Sequence, residues 1–319
     1  MVTNDAGGEL VVLDVEIPVV TSSPEGDHWQ SILARNLYRW QSLADEMPST
    51  PDAAMLVQAL KRPAESVIRQ LPASAQDALA LCENTDISRS QLAERLGKDP
   101  ALVQAILRTA NSAAYSAGRK SLLSLDSAIE RIGLGGTRAV VMARSVEGLL
   151  SRPGGVYDTM LSEVWAHMVR TAPIARAIAP AFGIDRDEAF SVALLHDVGK
   201  LVIFDQISAM RSQIRRPFAV PTSWLSAFIQ ETHASLGALA MLQWKMGARA
   251  AIAIGDHHRV DPAEGENPFA EAIYAAERVD HASRKGNLLD LDSIWKVGRL
   301  GGSVDKTKAA LADLAEEAK

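Results

Sequence analysis

A chain of 319 residues that is 47% apolar can bury a sizeable core, which excludes wholesale disorder. Its net charge of −6 argues against broad electrostatic capture of nucleic acid or anionic lipid. The single Cys82 cannot form an internal disulfide, no apolar run reaches membrane-spanning length, and the acidic start lacks a secretory pattern, so a cytoplasmic protein is the expectation.

Lasting period-two alternation is confined to residues 9–20, and the expected fold is all-α. Residues 1–26 run from a polar tail into ELVVLDVEIPVV, a β-branched stretch limited by Pro18 and Pro24 and read as an arm. Trp29, Ile32, Leu33, Leu37 and Trp40 form a helical stripe, and a second helix is expected over 52–60 after the Pro48–Pro51 breaker. Residues 1–66 are therefore read as an arm and helical extension packed on the main body.

Ser88 and Gln91 have capping-box spacing, Gly97 ends that helix, and Asp99-Pro100 supplies the cap and first-turn proline of the next. Two short helices in this arrangement imitate a DNA-binding helix-turn-helix. The second offers only Gln104 and Arg108 as base readers, so it reads as a core helix and DNA is not the expected partner. Residues 121–150 read as helix, tight turn at Gly135-Gly136, helix. SRPGG at 151–155 is the clearest breaker, dividing a helical subdomain (67–150) from a second one (156–285).

The second subdomain opens with a long helix over 157–182 bearing Trp165 and His167. FSVALLHDVGKLVIF follows at 190–204, where apolar positions at helical spacing predict one buried helix carrying His196, Asp197 and, four residues after His196, Lys200. RSQIRRP is read as a solvated connection. A helix from 221 is expected to end near Glu231, with Thr232-His233 opening another. A short helix over 248–256 runs into His257-His258, and another covers 269–282. The tail, 286–319, is partly amphipathic and expected to dock loosely.

An isolated His-Asp pair is ordinarily a buried hydrogen-bonded couple. Here six of the seven histidines follow residue 166, near helix ends or on apolar helices, and helices that turn their apolar faces inward bring such groups together. One metal site would take His167, His196, Asp197 and a later carboxylate. A second would take His233, His257 and His258 with Asp197 bridging, and two such ions activate water for attack at phosphorus.

KDPALVQAILRTANSAAYS, SLDSAIERIGLGG, VWAHMVRTA, EAFSVALLHDVGKLVIF, ETHASLGALAMLQW and AIGDHHRV, in that order, make residues 71–283 resemble an HDOD domain of the HD superfamily. HDVGK and THASLGA are also similar to HD-GYP phosphodiesterases of cyclic dinucleotides. The resemblance implies a multi-helix HD-like bundle over 67–285, with His167, His196 and Asp197 on the superfamily's metal positions. It puts His233, His257 and His258 on those of the two-metal branch and Lys200 on the phosphate-contacting lysine. Glu277 takes the distal aspartate position, with Asp280 as competitor, and the Gly-Tyr-Pro elements that close an HD-GYP site are absent after His258. The implied cofactor is one or two divalent ions among Fe, Mn, Mg and Zn. The implied role is bacterial signal transduction by binding a protein partner or small nucleotide ligand, with metal-dependent hydrolysis of a nucleotide or cyclic dinucleotide as the alternative.

Overall fold

The computed structural model describes residues 50–317 apart from 63, 85, 117–118, 150–153, 259–266, 286–289 and 299; the expected arm and first helix lie outside the described residues. Every regular element among the described residues is helical. They are α1 (Pro51–Leu60), α2 (Ala64–Val67), α3 (Ala73–Glu83), α4 (Arg89–Leu96), α5 (Pro100–Ala110), α6 (Ala113–Ser116) and α7 (Leu125–Leu149). After residues 150–155 come α8 (Val156–Ile178), a 3-10 turn (Ala179–Ala181), α9 (Arg186–Leu195), α10 (Val198–Gln213), α11 (Thr222–Gln243), α12 (Ala248–Asp256), α13 (Pro268–Lys285), α14 (Leu291–Gly298) and α15 (Val304–Glu317). None of the described helices is long and apolar enough to cross a membrane.

The local signals explain several starts. Ser88 Oγ accepts the Gln91 amide at 3.2 Å while the Ser88 amide donates to Gln91 Oε1 at 2.9 Å, a reciprocal cap on α4. Asp99 accepts the Ala101 and Leu102 amides ahead of Pro100 in α5, and Asp185 accepts those of Asp187 and Glu188 to start α9. α3, α4 and α5 pack on α7, while α8, α9 and α13 form a second layer that meets the first through α9 and α7. α10 packs on α8 and α11, α11 on α12, and α12 touches α9, and one apolar cluster runs from Ala53 to Trp295. α1 lies on α10, with Ala53 and Leu56 fully buried.

Residues 190–204 are two helices rather than one. α9 ends at Leu195, Asp197 (φ −98°, ψ 11°) leaves the helical ladder, and α10 begins at Val198. Just past the break, α10 lies directly against α11. A Cβ on Gly199 would lie 1.9 Å from the His233 carbonyl oxygen and 2.6 Å from the Gly237 amide, so the two backbones touch where neither residue has a side chain. Because both helices are buried on most sides, the apolar pattern runs through the break unaltered. α11 is continuous where a break at 231–232 was expected: Thr232 Oγ1 donates back to the Phe228 carbonyl at 2.6 Å and so does not act as a cap.

The turn within α7 falls at Gly133 (φ 72°, ψ 173°), two residues before the expected glycine pair. α10 takes in Ala209–Gln213, which shortens the expected connection. Arg216 pairs with Asp52, whose Oδ2 also accepts the Ala219 amide at 2.9 Å, clipping α1 to the remainder. The tail docks on the body: the Ser303 amide donates to the Ala181 carbonyl at 2.8 Å, the Gly301 amide to Glu271 Oε2 at 2.7 Å, and Phe182 lies 5.6 Å from the Trp295 ring.

Two outcomes test this packing. Gly199→Ala should destabilise the protein by roughly 3 kcal/mol or more in urea titrations, because neither backbone can retreat. The Arg216 hydrogen bond holds the Asp52 pKa below its ordinary value of 3.8. Its contribution is thus present above that value and lost as pH falls through the lowered folded value. Asp52→Asn should lower Tm at pH 7, with the deficit shrinking under acid conditions.

Candidate metal centre

Three imidazoles are fixed by their own helices. His196 Nδ1 lies 2.6 Å from the Ala193 carbonyl, His233 Nδ1 2.6 Å from that of Ile229, and His257 Nδ1 2.5 Å from that of Ile254. A carbonyl only accepts, so each Nδ1 carries a proton, and in the neutral ring Nε2 is left with a lone pair. All three Nε2 atoms turn toward Asp197. His196 contributes from the α9–α10 junction, His233 from mid-α11 and His257 from the end of α12, which α11 carries against it.

Asp197 has no exposed surface, and its two oxygens face different groups. Oδ1 is 3.4 Å from His233 Nε2 and 4.0 Å from His257 Nε2; Oδ2 is 3.4 Å from His196 Nε2 and 3.9 Å from His167 Nε2. Glu277 Oε1 lies 3.5 Å from both His167 Nε2 and His196 Nε2. His258 stands at the rim with a third of its side chain exposed, its Nε2 3.0 Å from His233 Nε2 and its Nδ1 3.6 Å from Glu277 Oε2. Two sets follow, His167–His196–Asp197–Glu277 and His233–His257–His258, in each of which the donor atoms lie within 4.8 Å of one another.

The donor chemistry fits divalent cations. His233 Nε2 and His257 Nε2 face each other at 3.4 Å, and burial pushes both pKa values down to about 3, so at neutral pH two lone pairs oppose each other. His196 Nε2 and Asp197 Oδ1 make no hydrogen bond although both are buried. Cations held by the two donor sets would satisfy these atoms, and imidazole with carboxylate suits Zn, Mn or Fe.

Without a cation, burial disfavours charge on His196, but Asp197 and Glu277 outweigh it and lift the pKa to about 10. Burial likewise opposes ionisation of Asp197, yet His196 and Lys200 hold its pKa well below the usual carboxylate range. The His167 and His196 rings, each 3.5 Å from Oε1, hold the Glu277 pKa well below the usual carboxylate range against the opposing effect of burial.

The expected residues converge, and the two competing carboxylates separate. Glu277 offers an oxygen to the first set. Asp280 instead sits behind it, with Oδ2 2.8 Å from His167 Nδ1 and Oδ1 accepting from Arg170 Nε at 2.7 Å. This carboxylate behind an imidazole fixes its tautomer, so His167 Nε2 is left as the donor. Lys200 Nζ lies 2.7 Å from Asp197 Oδ2, an ion pair within one turn. Sequence reasoning missed Arg170, and also Arg278 and Arg284, which line the mouth with Lys200. The only signal for them is their spacing on α8 and α13 relative to His167 and Glu277. The centre opens into a cavity of about 440 Å³ bounded by these cations, Glu163, Gln230 and His258.

The sequence pattern of the HDOD domain family matches residues 68–260. Among solved structures, a protein of Shewanella amazonensis SB2B, named provisionally as a metal-dependent phosphohydrolase, superimposes with a TM-score of 0.61 at 19% identity, over 92% of this chain and all of that one. An HDOD domain protein with unknown function from Geobacter sulfurreducens gives 0.53 at 21% identity, over 78% of this chain and 89% of that one. At such identities the likeness concerns the fold. An uncharacterized protein of Treponema pallidum (strain Nichols) is 24% identical over 205 residues, which are 62% of this chain and 39% of that protein. The chain thus spans about two fifths of that relative's length.

Loss of the carboxylate behind His167 should be felt in metal retention. Asp280→Asn is expected to weaken Mn²⁺ binding by roughly 10–100-fold, and Glu277→Gln by more. Dialysis against graded chelator followed by elemental analysis reads both, with far-UV circular dichroism as the check on folding.

Proposed function

This chain belongs to the HDOD domain family, and we propose that it works as a metal-dependent phosphohydrolase acting on a phosphate ester of a nucleotide or cyclic dinucleotide. The observation that carries the reading is Asp197, whose two oxygens face two separate donor sets across one buried carboxylate. His167, His196 and Glu277 would hold one ion, His233, His257 and His258 the other, and Asp197 both. Bound there, such ions supply Lewis acidity toward a phosphoryl oxygen and toward an attacking water.

The remaining chemistry belongs to the side chains. Lys200, Arg278 and Arg284 line the mouth and give an entering phosphate a cationic wall. On α13 Arg278 adjoins Glu277 and Arg284 lies about two turns further on, so a nucleotide held by them would leave its ester over the centre. The buried walls keep bulk water from His196 and Asp197, which strengthens each charge interaction.

A second reading, a regulatory scaffold that binds a protein or nucleotide without turnover, is favoured by the Lys200–Asp197 ion pair. That lysine already neutralises the carboxylate which the hydrolytic reading assigns to the metals. Signal transduction is compatible with both, since hydrolysis of a nucleotide messenger is itself regulation.

The test is turnover of bis(p-nitrophenyl) phosphate and of cyclic dinucleotides by protein loaded with Mn²⁺ or Fe²⁺, with metal content measured on the same sample. Hydrolysis is expected, reduced by roughly a thousandfold or more in His196→Ala and Asp197→Asn. Fully loaded wild-type protein that turns over none of these substrates would leave the scaffold reading standing instead.

A further inference from the structure

We propose that a second cavity, across α8 from the metal-centre residues, is a binding site for a small, flat organic anion carrying a single negative charge. The cavity, of about 290 Å³, lies where α5, α7, α8 and α9 meet. Its volume is near the lower end of the roughly 300–1,000 Å³ of small-molecule sites. Each helix contributes residues at helical spacing: Gln104 and Arg108 from α5, Trp165 and Val169 from α8, Phe190 and Leu194 from α9. His167 is two positions from Trp165, roughly 200° around the same helix, and faces the metal centre.

The lining sets the ligand class. Val140, Ala143, Phe190 and Leu194 are buried and make an apolar floor, beside the indole of Trp165. A flat apolar body suits that floor and wall. Three charged residues stand around it. Arg144 pairs with Glu147 one turn on, whereas Arg108 has no ion pair or hydrogen bond among the described residues. The sum is one uncompensated positive charge, which selects a singly charged anion.

Ordinary core packing does not account for this arrangement. Interiors fill to crystal-like density, yet here Val169 remains 47% exposed beside an open volume and a partly exposed tryptophan. Gln104 and Arg108, the only candidate base readers on α5, line this cavity. The occupant would touch both α8 and α9, the helices that carry His167 and lead into His196. The proposal stands independently of whether the metal centre hydrolyses anything.

The probe is 8-anilinonaphthalene-1-sulfonate, a singly charged sulfonate on a flat naphthalene, titrated by fluorescence into the full chain. One saturable site per chain is expected. Arg108→Glu and, separately, Val169→Glu should each weaken it roughly tenfold or more by repelling the sulfonate. Arg95→Glu, exposed on α4 away from the cavity, should leave it unchanged. Uncharged N-phenyl-1-naphthylamine should be indifferent to Arg108→Glu. Both acidic substitutions fall on exposed positions, so thermal melts should match wild type. Equal sulfonate binding in wild type and Arg108→Glu, or binding without saturation at one per chain, would overturn the assignment.

Discussion

A carboxylate taken out of water needs positive charge or hydrogen-bond donors around both of its oxygens, and Asp197 receives them unevenly. Lys200 stands 2.7 Å from Oδ2. Oδ1 instead faces His233 Nε2 and His257 Nε2, nitrogens whose protons are committed on the far side of each ring to helix carbonyls. An oxygen surrounded by lone pairs is a poor hydrogen-bond environment and a good ligand set. The uncompensated desolvation cost of one such ion is several kcal/mol, a large share of a typical domain's net stability of about 5–15 kcal/mol. The electrostatics of the centre therefore call for a cation most strongly on the His233–His257–His258 side.

That arrangement rests on a backbone contact. Gly199 and Gly237 let α10 and α11 approach until the His233 carbonyl occupies the space a side chain would fill. The approach sets how far the His233 ring reaches toward Asp197, and α11 in turn carries α12 and His257 into place. Removing side chains from two positions is thus what allows three helices to share one polar centre. The glycine after Asp197-Val198 serves ligand placement as much as chain turning.

Much of this was legible in the sequence, and the reasons for the rest are physical. Caps are read from a few adjacent residues, so Ser88–Gln91 and Asp99-Pro100 appear where their spacing places them. The convergence of His167, His196, Asp197, His233, His257, His258 and Glu277 was also accessible, because each lies on or beside an inward-facing apolar helix. Breaks inside buried segments were not. Apolar periodicity reports which faces are covered, and near Asp197 and Thr232 nearly all faces are, so the helix end at 195 and the continuity through 232 leave no trace in the pattern. Asp280 posed a different difficulty: three residues from Glu277, it shares the neighbourhood, and only the ring orientation of His167 separates a ligand from a group that holds one.

Lys200 connects the two functional readings through a single flexible side chain. In the ion pair it compensates Asp197, and its stem is only partly exposed, with 19% of the side chain open to solvent. With cations in both donor sets, Asp197 would no longer depend on the lysine, whose charge would then repel theirs. A lysine carries several rotatable bonds and three donors, so it can turn toward the mouth with little strain and meet an anionic ligand there. On the hydrolytic reading proposed above, the residue that pairs with Asp197 here would turn to phosphate in the loaded centre. The hydrolytic and scaffold readings thus call for the same fold and differ in occupancy and in where Lys200 points, which is why helix geometry alone supports both and turnover by the loaded protein separates them.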